Sequence, residues 1–209
     1  MKYVIVEHLE PCLSPWMLCE YEYLSKIFSG RTIYTNVKDG RAMEVLKKYG
    51  EVYSDEFTKA IKILNLRDVI VLDPRAEELL KRDELIQAEG VVVGGIMGDH
   101  PPKGRTSELI TNKAKHLKSR NLGSKQLTIA GVAYVLKEME GGKEFREIPI
   151  IEGVEIKVKV GMVDIALELP YAFPAKNGQP VLPDNYIDTV IKKSLIFEDS
   201  PCVNDVSDA

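Results

Sequence analysis

Three cysteines, three histidines and one tryptophan among 209 residues leave little material for several familiar architectures. Cys12, Cys19 and Cys202 are odd in number and contain no C-x-x-C pair, which reads as reduced thiols in a cytoplasmic protein rather than a disulfide frame or a zinc site. His8, His100 and His116 fit no standard ligand spacing, so no metal is expected. No apolar run approaches the ~20 residues of a membrane span. The opening Lys2-Tyr3-Val4-Ile5-Val6 is too short an apolar stretch for a signal peptide, so no membrane is expected among the partners. Neither charge sign dominates: the net charge is −4, and any nucleic-acid surface would have to be a local patch.

What is present is a βα alternation. Residues 3–6 and 32–35 read as short strands. Val69-Ile70-Val71-Leu72 and Val91-Val92-Val93 are unbroken apolar runs of the kind found in central parallel strands. Between them, helices are expected over 15–28, 41–49, 56–64 and 77–87, the first opened by Ser14 as N-cap and Pro15 at the first helical position. A further amphipathic helix is expected over 126–140. This pattern predicts an α/β fold with a parallel sheet covered by helices on both faces. After 141 the pattern changes: residues 154–160 alternate strictly, as in a strand with one wet face, and read as an appended hairpin or edge. Residues 1–197 read as one domain, with 141–183 as appended strands and linker, a last helix over 187–196, and 198–209 as a flexible acidic tail.

In open parallel sheets a ligand sits beyond the carboxyl ends of the strands. Three strand ends stand out: Leu72-Asp73-Pro74-Arg75, then Gly94-Gly95-Ile96-Met97-Gly98-Asp99-His100-Pro101-Pro102, then Ser119 to Thr128. Glycines in the second permit close approach of backbone to a ligand, and two prolines stiffen its exit. It is neither a P-loop nor a dinucleotide fingerprint. In the third, Gly123 lies just before the helix expected from 126, whose first N–H groups could face an anionic or polar ligand.

These segments carry a resemblance. Gly94 to Pro102 with Arg105-Thr106 and Glu108-Leu109, and Arg120-x-Leu122-Gly123-x-Lys125-Gln126-Leu127-Thr128, resemble the two signatures of a SPOUT-class methyltransferase family of archaea and eukaryotes. Glu7-His8, Glu10, Ser14, Trp16, Glu20-Tyr21, the Leu72 to Ala76 stretch and Gly178-x-Pro180-x-Leu182-Pro183 match it as well. The likeness spans nearly the whole chain and is weak at 36–66 and 141–167. It implies a SPOUT-type sheet with a C-terminal trefoil knot and S-adenosyl-L-methionine in a pocket built from the three loops, with no metal. The cofactor-binding residues would be Leu72, Pro74, Gly94, Gly95, Ile96, Gly98, Asp99, His100, Leu122, Gly123, Lys125, Gln126, Leu127 and Thr128. It also implies an acceptor: an arginine of a small-subunit ribosomal protein, modified by a monomer or homodimer.

An arginine acceptor carries only donors and a permanent charge, so the enzyme needs carboxylates to orient it and take up a proton. Asp99, Glu168, Glu7 and Glu20 are the candidates for such an acidic pocket. Trp16 reads as core packing. Lys113, Lys115, Lys118, Arg120 and Lys125 form a basic stretch, either a solvated edge or a contact with ribosomal RNA. Two competing readings stay open: methylation of rRNA or tRNA through the same pocket, and a non-catalytic ribosome-assembly protein that has kept the fold.

Overall fold

The computed structural model describes residues 1–98, 103–160, 162–191 and 202–203. Along the chain run β1 (Tyr3–His8), α1 (Pro15–Ile27), β2 (Thr32–Thr35), α2 (Gly40–Leu46), β3 (Glu51–Val52), α3 (Phe57–Ile63), β4 (Val69–Leu72), α4 (Arg82–Gln87), β5 (Gly90–Gly95), α5 (Arg105–Leu109) and β6 (Lys118–Arg120). Then come α6 (Ile129–Glu140), β7 (Ile150–Val160), β8 (Val163–Lys176), β9 (Gln179–Pro180) and α7 (Tyr186–Thr189). The first six strands form one sheet in the order β3-β2-β1-β5-β4-β6, with every pairing parallel.

The apolar runs form central strands because both of their faces are buried. Strand alternation sends Val4, Val6, Val91, Val93, Ile70 and Leu72 to one side, where they pack with Met17 and Leu24 of α1 and Ala133 and Leu136 of α6. Ile5, Val92, Val69 and Val71 go to the other side, against Phe57 and Ile61 of α3 and Ile110. Ser14 caps α1, its hydroxyl accepting from Met17 N at 3.1 Å with Pro15 in the first turn. The appended segment is a long antiparallel hairpin, β7 with β8, extended by β9. It joins the rest through Leu167, Leu169 and Phe173, which pack with Cys19, Tyr186 and Val190.

Two expected helices begin later than the sequence suggests. The one expected from 77 starts at Arg82, because residues 78–80 pair instead with the chain after β6. Leu80 N donates to Asn121 O and Asn121 N to Glu78 O. That tertiary pairing satisfies backbone groups that a helix would have used. The helix expected from 126 starts at Ile129, with Thr128 as its N-cap accepting from Gly131 N. Of the last expected helix, residues 192–196 lie outside the described residues.

Cys12 and Cys202 form a disulfide across 190 residues of chain, and Cys19 is a buried free thiol. The expectation of reduced thiols throughout is therefore corrected, and the argument it lent to a reducing compartment falls with it. Sequence spacing could not show this pair, because the chain's return brings the two together. Val203 is buried and its N–H donates to Leu13 O at 2.7 Å, so at 202–203 the chain is docked and not a loose tail; residues 198–201 and 204–209 lie outside the described residues.

Glu7, at the carboxyl end of β1, has no exposed surface. One of its oxygens accepts from the Thr35 hydroxyl at 2.6 Å and from Phe57 N at 2.8 Å, tying β1 to β2 and to the start of α3. Burial raises its carboxyl above the ordinary carboxylate range. Replacing Glu7 with Ala should destabilise the protein by about 1–3 kcal/mol, because two buried donors lose their acceptor. Thermal unfolding followed by circular dichroism will read this as a lowered midpoint, with specific activity of the folded fraction retained. Cys12→Ser should lower stability by about 2–4 kcal/mol under non-reducing conditions and make the midpoint insensitive to reductant.

Candidate active site

At the carboxyl ends of β4 and β5 lies a cavity of about 290 Å3. Its walls are residues 72–75 after β4, 93, 94 and 96–98 at the end of β5, 103–106 leading into α5, and 122–129 leading into α6. Trp16 and Glu20 of α1 and Tyr171 of β8 complete it. Of the cofactor-binding residues expected from the sequence, Leu72, Pro74, Gly94, Ile96, Gly98, Leu122, Gly123, Lys125, Gln126, Leu127 and Thr128 all line this cavity. Asp99 and His100 lie outside the described residues. Gly95 does not line it: a Cβ there would overlap the Tyr21 hydroxyl. Gly95 is thus small to admit Tyr21 from α1, not to admit a ligand.

The loops are held by buried polar contacts. Asp73 is 3% exposed and accepts from Arg75 N at 2.9 Å, from the Ser107 hydroxyl at 2.7 Å and from the Thr111 hydroxyl at 2.6 Å. It thereby clamps the segment running through α5 onto the end of β4. Glu10 accepts from Met97 N at 2.9 Å and from the Arg105 guanidinium at 3.0 Å, and the same guanidinium donates to Met97 O. The loop after β5 is thus fixed at Met97 from both sides. At Gly98 a Cβ would run into the Gln126 side chain and the Tyr171 ring, while the Tyr171 hydroxyl donates to Gly98 O at 2.8 Å. Glycine is required there by close approach.

Among the described residues, Glu20 is the one of the proposed carboxylates that the structure brings to the cavity. It is 4% exposed and accepts from Ala130 N in the first turn of α6 at 2.5 Å. The helix N-terminus that the sequence offered to a ligand is therefore occupied by the protein's own residues, Thr128 and Glu20. The end of the α6 dipole favours the anion. Burial nevertheless pushes the Glu20 carboxyl up to about 7, opposed by hydrogen bonds from Ala130, Thr128, Tyr186 and Trp16. Trp16, read from sequence as core, packs beside Tyr171 and Tyr186 with ring centroids 6.0 Å away in each case, yet it also faces the cavity. The signal for its role was its spacing: Trp16 and Glu20 are four residues apart and share one face of α1.

Of the other proposed carboxylates, Glu7 and Glu168 do not converge here. Glu7 points to the opposite side of the sheet, toward Phe57 and Thr35. Glu168 is exposed on β8 between the buried Leu167 and Leu169, paired across the hairpin with Glu155. Strand alternation puts it on the outer face, and it is not part of the cavity. The basic stretch is largely neutralised within the chain. Lys113 pairs with Glu56 at 2.5 Å, Arg120 with Glu84 at 2.7 Å and Glu78 at 3.2 Å, and Lys125 with Glu152 at 2.9 Å.

The family described as protein arginine N-methyltransferase SFM1-like matches residues 3–196. The chain is 32% identical over 213 residues to the protein arginine N-methyltransferase SFM1 of Saccharomyces cerevisiae, covering 93% of this chain and 96% of that protein. The crystal structure of yeast SFM1 complexed with SAM aligns at a TM-score of 0.80 and 26% identity over 93% of this chain and 92% of the yeast chain. The dual specific Trm10 of Thermococcus kodakaraensis shares the fold alone, at a TM-score of 0.58 and 17% identity over 70% of this chain and 96% of that one. The parallel sheet flanked by helices is the SPOUT arrangement that these relatives share. With a family match reaching from β1 past α7, the chain belongs to the SFM1-like family of protein arginine N-methyltransferases.

Proposed function

We propose that this chain transfers a methyl group from S-adenosyl-L-methionine to an arginine of a small-subunit ribosomal protein. The observation that carries the reading is the cavity walled by three strand-end loops with Glu20, a buried carboxylate of raised pKa, set into its side. The cavity suits the cofactor on its own terms. Val93, Ile96, Leu122, Leu127 and Val132 give an apolar lining for a nucleoside. The relatives' solved complexes with SAM and SAH support the same choice. The ribosomal-protein acceptor is supported by the family resemblance of the signature loops, and a cytoplasmic location follows from that acceptor. The trefoil knot expected from the resemblance belongs to this proposal too; its support is the family resemblance of the signature loops.

When bound, S-adenosyl-L-methionine supplies an electrophilic methyl on a sulfonium. The chain's own residues do the rest. The loops held by Asp73 and Glu10 fix the pocket, so that positioning rather than covalent chemistry lowers the barrier. Glu20 holds the guanidinium by a charge-assisted hydrogen bond. As the nitrogen is methylated it loses one proton, and a Glu20 carboxylate oxygen takes it, so the product arginine keeps its single positive charge. Asp99 remains a candidate partner on the strength of the resemblance.

Incubation of small ribosomal subunits with S-adenosyl-L-methionine labelled on its methyl should place label in one protein band that survives RNase and yields methylarginine on hydrolysis. Label confined to RNA would overturn the acceptor, and no label in either would overturn the assigned reaction. Gly98→Val should weaken S-adenosyl-L-methionine binding by about tenfold or more in calorimetry, with the far-ultraviolet spectrum unchanged, because the new side chain meets Gln126 and Tyr171.

A further inference from the structure

We propose that Trp16 and Tyr171 form an aromatic corner over Glu20 in which the acceptor guanidinium lies, and that Tyr186, outside the cavity, is the positioning residue that locks this corner. The inference rests on the arginine reading above and names the part of the cavity that takes the acceptor.

Trp16, Tyr171 and Glu20 all face the same cavity. Trp16 and Tyr171 meet edge to face, their ring planes at 70°, so the two rings present surfaces at a steep angle to one another. A planar cation can lie flat against one such face with its rim toward the other, which is favourable because aromatic faces carry negative potential. Arginine suits the corner better than lysine, since its guanidinium is flat, delocalised and weakly hydrated. Glu20, one turn along α1 from Trp16, supplies the acceptor oxygen that fixes which edge of the fork turns inward.

Tyr186 sits behind the corner. It is 1% exposed and is not among the cavity-lining residues. Its hydroxyl accepts from the Trp16 indole N–H at 3.0 Å and also hydrogen-bonds to Glu20. One buried hydroxyl thus sets the rotamer of the ring and the orientation of the carboxylate together. At the other end, the Tyr171 hydroxyl donates to Gly98 O, which links the corner to the loop after β5. That bond couples the position of the acceptor to the position of the cofactor loop.

Trp16 is the only tryptophan in the chain, so its emission reports on this corner alone. With S-adenosylhomocysteine present, N-acetylarginine methylamide should change the emission saturably. The citrulline analogue, planar but uncharged, should need about tenfold more to do so. Tyr186→Phe should leave S-adenosylhomocysteine binding within about twofold. It should also move the rising limb of the rate against pH upward, because the lost hydrogen bond had favoured the Glu20 anion. An emission change equal for arginine and citrulline, or none while the same preparation methylates arginine, would overturn the corner and leave the arginine reading standing. A Tyr186→Phe enzyme with an unmoved pH limb would remove Tyr186 from the proposal. Failure to label arginine in any protein is the separate result that would sink the reading beneath it.

Discussion

The Glu20 carboxylate sits at the amino end of α6, where it accepts the Ala130 N–H from across the interface with α1. This contact ties α1 to α6, two of the helices packed on one face of the sheet, at the place where the segment 122–128 turns into α6. A helix N-terminus carries unpaired donors and a partial positive charge, and a carboxylate from another element answers both needs at once. The cost is desolvation, which pushes the group up to about 7 and leaves it poised between its acid and base forms near neutral pH. A purely structural cap gains nothing from that poise, whereas a group that must hold a cation and then accept a proton does.

Around this point the strand-end loops are tied down one by one. Asp73 collects a backbone N–H and two hydroxyls, and Glu10 grips Met97 through its N–H and through Arg105. Each tie uses a charged group whose hydrogen bonds lie inside the protein, so loosening one leaves an unsatisfied partner rather than a water-filled gap. The hairpin of β7 and β8 contributes Tyr171, whose ring and hydroxyl close the cavity against Gly98. The segment appended to the sheet therefore completes the pocket.

Much of this arrangement is legible in the sequence, for identifiable reasons. The runs Val69 to Leu72 and Val91 to Val93 can only be central strands, and the loops that follow them must then meet at one edge of the sheet. The residues 72–74, 94–98 and 122–128 accordingly proved to be neighbours around one cavity, with Gly95 displaced by the demand of Tyr21. What the sequence could not separate was one carboxylate from another. Glu7 lies near the end of β1 and Glu20 on the helix that follows, but strand parity sends Glu7 toward α3 with Ile5, and helical spacing sends Glu20 inward with Trp16. Glu168 fails by the same alternation, since its neighbours Leu167 and Leu169 take the buried face. The Cys12–Cys202 bridge and the pairing of Leu80 with Asn121 depend on long-range return of the chain, which local pattern does not encode.

In the proposed reaction Glu20 is the group that meets the acceptor and takes its proton. The most direct test is kcat/KM against pH for the natural enzyme and for Glu20→Gln, whose amide oxygen can still cap α6. For the natural enzyme the rate should rise with pH and level off above about 7, because the carboxylate form is the active one. In Glu20→Gln that limb should vanish and the plateau should fall by about 10²-fold or more, with cofactor affinity retained. A variant that keeps both the limb and the rate would contradict the account.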